Sequence, residues 1–312
     1  MPSSVQVRVI APNGGRFPLS ACLLVEGGGF TLLVDSGCGS SALSELRAKV
    51  DAVVYSHHHP DHISGHHLLE RHKTFSPAGE EAFSTLELLA RRYAGERYRY
   101  WLEFATSFIG VRTVPQAHEY YKPGEDLCIR GMCIKTYPAR GHMLTHTLLE
   151  LPGGHLHLAD IDLTGFGPWY GNPESDPMAF LADIEAAASI DAKAYTTGHR
   201  DVVLRPEEAR SKLLQYALKV PETMRKLLAA LASAGGPLDE HKLTGRGIVY
   251  LRYIPGAEKL MEYFELTMIR KLLSALYALG CVEKSREGYA AKEPQCTGVD
   301  KLEERIRDRV QR

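Results

Sequence analysis

A chain of 312 residues with 44% hydrophobic and 24% charged residues has an ordinary globular makeup, long enough for one large core and a smaller appended unit, which excludes a disordered class. Lys plus Arg (37) nearly balance Asp plus Glu (38), so no global field draws the protein to nucleic acid or an anionic membrane. No apolar run approaches the roughly 20 residues that a membrane span needs.

Residues 1–200 carry a net charge of about −5 and 201–312 about +4, an asymmetry that reads as a solvated helical surface rather than a nucleic-acid footprint. The six cysteines form no C-x-x-C pair and no dense framework. Cys22 in an apolar strand and Cys281 in an apolar context read as buried thiols. Met1-Pro2-Ser3-Ser4 runs straight into a strand-like segment without a signal-peptide pattern. Together these predict a soluble protein of the reducing cytoplasm.

Along the chain, residues 5–10 alternate as a half-buried strand. Segments 21–26 and 30–35 flank Gly27-Gly28-Gly29 and read as a hairpin, the second ending in Asp35-Ser36-Gly37. Asp35 either accepts hydrogen bonds from loop amides or an imidazole, or simply starts the turn before Gly37. A short helix over 41–49 precedes the apolar run Ala52-Val53-Val54, which leads into Tyr55-Ser56-His57-His58-His59-Pro60-Asp61-His62. Five potential metal ligands within six residues are hard to explain by folding alone, because buried imidazoles and carboxylates lose hydration that only partners restore. His57 and His59, two apart, project from one side of an extended segment and can clamp one cation. Asp61 and His62 follow the bend at Pro60 and can present a second pair.

A helix is expected over 63–71, with Gly65 allowing close approach to the ligand loop and with His66 and His67 as ordinary helix residues. Residues 80–108 read as a long, aromatic-rich helical stretch. His118 carries no motif. A strand over 132–137 leads into a turn containing His142 and His146, and 147–151 and 155–159 bracket Pro152-Gly153-Gly154 as a hairpin ending at Asp160, with Asp162 two residues on. Phe166-Gly167-Pro168-Trp169-Tyr170-Gly171 is a bent loop whose Trp169 and Tyr170 serve either substrate contact or loop anchoring. A helix over 176–189 starts with Pro177, and a last strand over 192–197 ends at Gly198-His199. Beyond it come a helical region from Pro206 to about 234, a helix over 267–280, and a small β-wing around Gly288.

The pattern His57-x-His59-x-Asp61-His62 after a hydrophobic strand resembles the signature of the metallo-β-lactamase superfamily, which includes glyoxalase II enzymes, acyl-homoserine lactonases, phosphodiesterases and RNA-processing nucleases. The resemblance covers residues 5–205, with several separated motifs in order. It implies an α/β fold, an αββα sandwich over 1–205 with a helical insertion at about 78–110, followed by a helical, winged-helix-like extension over 206–312. The insertion would then cover the mouth of the site, or else pack as ordinary helix or as a dimer surface. The extension would serve packing or homodimerisation rather than DNA.

Residue by residue, the resemblance puts His57, His59 and His142 on one metal and Asp61, His62 and His199 on the other. Asp160 bridges them, preferred over Asp162 because Ala159 supplies the close approach that Gly gives elsewhere in the family. Asp35 and His146 stand behind the ligands, His146 otherwise being an inward-facing strand residue. Arg140 replaces a customary Pro, Met143-Leu144-Thr145 replace small residues, and Leu163 stands where lactonases place Tyr.

The implied activity is hydrolysis by a hydroxide held between two divalent cations, with Asp61 steering a proton to the leaving group. Zinc is the first choice of metal; iron, manganese and cobalt accept the same donors. The expected substrate is a small-molecule thioester, ester, lactone or phosphoester, with promiscuous phosphodiesterase, phosphotriesterase or lactonase action. The alternatives are a metal-dependent ribonuclease and a non-hydrolytic di-iron redox or signalling protein. No membrane partner is expected.

Overall fold

The computed structural model describes residues 5–311. Residues 1–4, read above as leading into the first strand, and Arg312 lie outside them.

Six strands form the first sheet in sequence order: β1 (Gln6–Ile10), β2 (Cys22–Gly27), β3 (Phe30–Val34), β4 (Ala52–Val54), β5 (Lys73–Pro77) and β6 (Glu119–Tyr121). The β1–β2–β3 meander is antiparallel, and β3 through β6 are parallel. A second sheet has the order β11-β10-β9-β8-β7, built from β7 (Leu127–Ile129), β8 (Met132–Pro138), β9 (Thr147–Leu151), β10 (His155–His157) and β11 (Ala194–Thr196). Only its β10–β11 pair is parallel.

Period-two alternation decides which face of each strand meets which layer. Leu23 and Val25 of β2 point between the sheets with Val34, Phe75, Ile134 and Leu149. Cys22 and Leu24, on the opposite face, pack with α1 (Ser40–Leu46) and the insertion helices α3 (Leu86–Ala94) and α4 (Tyr98–Glu103). On the far side, Leu148 and Leu156 meet α5 (Pro177–Ala188), α6 (Pro206–Ala217), α7 (Lys219–Ala232), α8 (Glu258–Ala278) and α9 (Thr297–Gln311). The result is the expected four-layer α/β/β/α sandwich. After α8 and Gly280 the chain makes the expected wing, β12 (Val282–Lys284) paired antiparallel with β13 (Tyr289–Ala291), before α9 packs on α5, α6 and α7.

Several helices differ from the sequence reading. The helix expected over 63–71 is a single turn, α2 (Pro60–Ile63), followed by a 3-10 turn at His66–Leu68. It therefore begins inside the ligand motif, with Pro60 at the first helical position where its missing N–H costs nothing. The stretch over 80–108 is broken at Gly95, whose φ of 50° no continuous α-helix accepts, and it ends in a π-helical turn at Phe104–Ile109. The region from Pro206 to 234 is two helices meeting at Leu218, because Pro221 has no N–H with which to continue the hydrogen-bond ladder.

The cysteine reading needs correction. Cys281 is joined to Cys296 across the base of the wing, and Cys128 to Cys133 across the β7–β8 hairpin, leaving Cys22 and Cys38 as buried free thiols. The expectation of a reducing compartment rested on unpaired cysteines, and it loses that support. No helix among the described residues is long and apolar enough to cross a membrane.

Candidate metal centre

The parallel pairing β3–β4 brings the carboxyl ends of two strands together, with Val34 opposite Val54, so Asp35 lies beside the segment that enters the histidine motif. The parallel pair β10–β11 does the same for Asp160 and His199, with His157 opposite Thr196. A hydrogen bond from Thr147 N to Ser56 O stitches the two sheets at this edge. Two glycines permit the convergence. A Cβ on Gly37 would lie 1.8 Å from Asp61 O, and one on Gly198 would lie 2.7 Å from the His62 ring and 3.1 Å from Asp160 Oδ1.

The result is two neighbouring donor groups, one of His57, His59, His142 and Asp160 and the other of Asp61, His62 and His199. Asp160 faces both. Its Oδ2 lies 3.0 Å from His142 Nε2, 3.5 Å from His57 Nε2 and 3.7 Å from His59 Nδ1, while its Oδ1 lies 2.7 Å from His62 Nε2 and 3.5 Å from His199 Nε2. Asp61 Oδ2 lies 3.2 Å from His199 Nε2. Asp162 does not share this position: its Oδ1 accepts the Thr164 N–H at 2.9 Å and it faces the cavity instead.

Each imidazole is held by its other nitrogen, which selects the tautomer. His57 Nδ1 meets Ser56 Oγ at 2.9 Å, His62 Nδ1 meets Asp35 Oδ2 at 2.7 Å, His142 Nδ1 meets the Trp169 carbonyl at 3.1 Å, and His199 Nδ1 meets the Gly15 carbonyl at 3.0 Å. His59 Nε2 lies 2.7 Å from the Asn172 side-chain amide. With the amide oxygen turned to the ring, Nε2–H donates and Nδ1 is left bare.

Asp35, in the left-handed region at φ 58°, also accepts from Ser56 N and Ser56 Oγ at 2.8 Å each. It thus ties the loop to the ring of His62. His146 does the same for Asp160: its Nδ1 donates to Ala139 O and its Nε2 accepts from Asp160 N, both at 3.0 Å. Ala159 adopts φ 45°, the conformation that makes Gly customary there.

The donor chemistry fits divalent cations. His59 Nδ1 lies 2.7 Å from His142 Nε2 and 3.1 Å from His57 Nε2, and with the Asn172 amide turned from its Nδ2 to its oxygen toward His59 Nε2, lone pairs converge with no proton donor among them. His62 Nε2 and Asp160 Oδ1 are sealed from solvent without a well-directed hydrogen bond. Burial pushes His57 well below its ordinary range and His59 to about 4, which keeps both neutral as ligands. Burial also opposes charge on His62, but the Asp160 and Asp35 carboxylates outweigh it and hold that ring at about 10. For Asp160 burial favours the neutral acid, and the charged His62 ring beside it reverses that and holds the carboxyl well below its usual range. Buried carboxylates in this number call for positive charge.

Some supporting residues escaped the sequence reading. Asn172 had no motif to mark it. A buried network behind the loop joins His58 Nδ1 to Glu80 Oε2 at 3.3 Å, Glu80 to Thr145, and Arg92 to both Glu80 (2.8 Å) and Glu174 (3.0 Å). From α8, Lys271 donates to the carbonyls of Tyr170 and Asn172 and to Ser175 Oγ, fixing the loop that carries Asn172. Burial pulls Lys271 down to about 8, partly offset by Asp176 and Glu174.

A cavity of about 450 Å³ opens over the donors. Trp169 lines it, with its ring centroid 5.8 Å from that of His59 and 6.0 Å from that of His142, and its Nε1–H donates to Tyr250 OH at 2.7 Å. Tyr170 does not join it. That side chain is 2% exposed in the core on the outer face of the second sheet, where it anchors the loop. His66, bonded to Tyr55 OH at 2.8 Å, and His118, bonded to Thr74, stand apart from the donors.

A two-sheet sandwich with a buried histidine and aspartate cradle at the strand ends defines a class of metal-binding proteins, and comparison with known proteins gives the family. Residues 15–199 match the family model described as the metallo-beta-lactamase superfamily, and the chain belongs to that superfamily. A metallo-beta-lactamase family protein of Thermus thermophilus is similar at a TM-score of 0.68 and 20% identity, over 92% of this chain and 98% of that one. A beta-lactamase domain protein from Burkholderia ambifaria is similar at 0.66 and 18%, over 92% of both chains. The B3 metallo-beta-lactamase BLEG-1 is similar at 0.51 and 14%, over 66% of this chain and 97% of that one. Coverage of 92% extends well into the C-terminal helices, so the likeness of fold to the first two includes that region. No match is found among curated protein sequences.

Proposed function

We propose that this protein is a dinuclear metal-dependent hydrolase of a small-molecule thioester, ester, lactone or phosphoester. The observation that carries this reading is Asp160, whose two carboxylate oxygens address two separate donor groups. His57, His59 and His142 would hold one divalent ion and Asp61, His62 and His199 the other, with zinc the first choice for so imidazole-rich a set. When bound, such ions supply Lewis acidity and a water acidic enough to act as a nucleophile near neutral pH.

The protein's own residues do the rest. Ser56, Asp35, Asn172 and the carbonyls of Trp169 and Gly15 hold the rings, so the donors need no rearrangement during turnover. Asp61 lines the cavity as well as facing His199, and its carboxylate is placed to take a proton and return it to the leaving atom. Trp169 and the surrounding apolar wall exclude water from the substrate. Arg16 is the one Lys or Arg among the described cavity-lining residues, which speaks against an extended polyanion such as RNA.

The test is turnover by the metal-loaded protein of thioester, lactone, bis-aryl phosphate and RNA substrates. We expect hydrolysis of at least one small molecule, abolished by a chelator and restored by a divalent ion. Turnover of RNA alone would overturn the reading.

A further inference from the structure

We infer that the substrate joins an apolar acyl group to an anionic alcohol or thiol, with the scissile bond between a hydrophobic wall and Arg16. This rests on the hydrolase reading above and names its substrate class. The wall stands on the His59 and His142 side, where Trp169 packs edge-on against Phe264 with centroids 5.1 Å apart. Leu260 and Met261 of α8 continue it, and Phe104 and Ile109 of the insertion close it from above. Two remote segments of chain thus supply apolar atoms to one cavity, and Tyr250 turns its hydroxyl to the Trp169 indole. A pocket of this volume accepts a ligand of drug size, and one lined this way favours methylenes over hydroxyls.

The lining continues to the surface. Phe17 and Phe108 are 44% and 46% exposed, and both gather on Phe104, with centroids 6.0 and 5.0 Å from it. Exposed aromatics grouped at a cavity mouth mark a place where apolar groups enter.

The lining also carries one cation, the residue before Phe17 in the chain. Gly15 gives its carbonyl to His199, so the next residue, Arg16, stands on the Asp61 and His199 side of the donors. Arg16 is exposed, lines the cavity, and has no ion-pair partner among the described residues. An anion carried by the leaving group would be met there, and an acyl chain would not. In the reaction one water is consumed: its oxygen bonds to the acyl carbon as the C–O or C–S bond breaks, and the departing alcohol or thiol ends with a proton.

Two measurements test this. The first is kcat/KM of the metal-loaded protein on thioesters of 3-mercaptopropionate and of 2-mercaptoethanol, with acyl chains of two to eight carbons. We expect a rise of roughly tenfold or more with chain length, and a preference of about tenfold for the carboxylate-bearing thiol that collapses in Arg16→Gln. A flat chain-length profile with turnover intact overturns the inference and leaves the hydrolase standing, and a carboxylate preference undiminished in Arg16→Gln removes the anionic end. The second is binding of alkyl sulfonates of two to ten carbons to metal-free protein, followed by tryptophan fluorescence. Affinity that climbs with length and weakens in Arg16→Gln supports the inference even if no ester is turned over, an outcome that sinks the hydrolase reading alone. Affinity independent of length overturns the inference.

Discussion

The floor and the wall of the cavity are built by different means. On the floor every histidine donor is held by a second hydrogen bond, often to a backbone carbonyl or a buried carboxylate, which sets its direction. The wall is held by packing, and its few polar anchors, such as Trp169 to Tyr250, tie loop to loop rather than aim a group at the reacting centre. Directional bonds resist small displacements far more steeply than apolar contacts do. Chemistry and selectivity are therefore separable here: damage to the floor lowers metal affinity and rate, and damage to the wall changes which molecules enter.

The largest effect that would sharpen this contrast comes from Asp160→Ala. The two donor groups lose the carboxylate they share, and we expect loss of one metal equivalent and of nearly all turnover, with sulfonate binding retained. Metal analysis checks it, and two ions still bound would take Asp160 out of the bridge. Next is Asn172→Ala, which frees His59 to rotate and should weaken metal binding by roughly 10- to 100-fold in a chelator competition. An unchanged affinity would mean that Tyr93 and Trp169, packed on the His59 ring, hold it without the amide.

The smallest effect probes Lys271, which ties α8 to the loop carrying Asn172. Folding lowers it from an ordinary 10.5 to about 8, so between those values the unfolded chain carries a proton that the folded chain does not. Its contribution to stability is thus greatest above pH 10.5 and is lost as the pH falls through 8. Urea unfolding at about pH 7.5 and 9.5 should show this rise in the wild type, with Lys271→Met showing less of it. An equal rise in both would assign it to other groups.

What could be read beforehand follows the same division. The donor groups were legible because they lie in segments just beyond strand ends, where imidazoles and carboxylates have few structural uses. His57 through His62 announced themselves locally, and His142, Asp160 and His199 followed in order. Asn172 and Arg92 gave no signal, since an amide or guanidinium gains its meaning only from a partner distant in sequence. Trp169 and Tyr170 could not be told apart beforehand, because adjacent loop residues point opposite ways and composition does not say which faces the cavity. Leu260 and Phe264 lie ahead of the helix expected over 267–280, and only the longer α8 and its packing across the site bring them to the wall. The Cys281–Cys296 pair needed the wing to bring its two ends together.

The bond from His199 Nδ1 to the Gly15 carbonyl joins the two ends of the family-matched segment, 184 positions apart. During synthesis the second donor group cannot close until that last strand has emerged and docked. Capture of a full metal complement is on this account a late event in maturation, and a nascent chain shorter than about 200 residues would lack His199 from the second group.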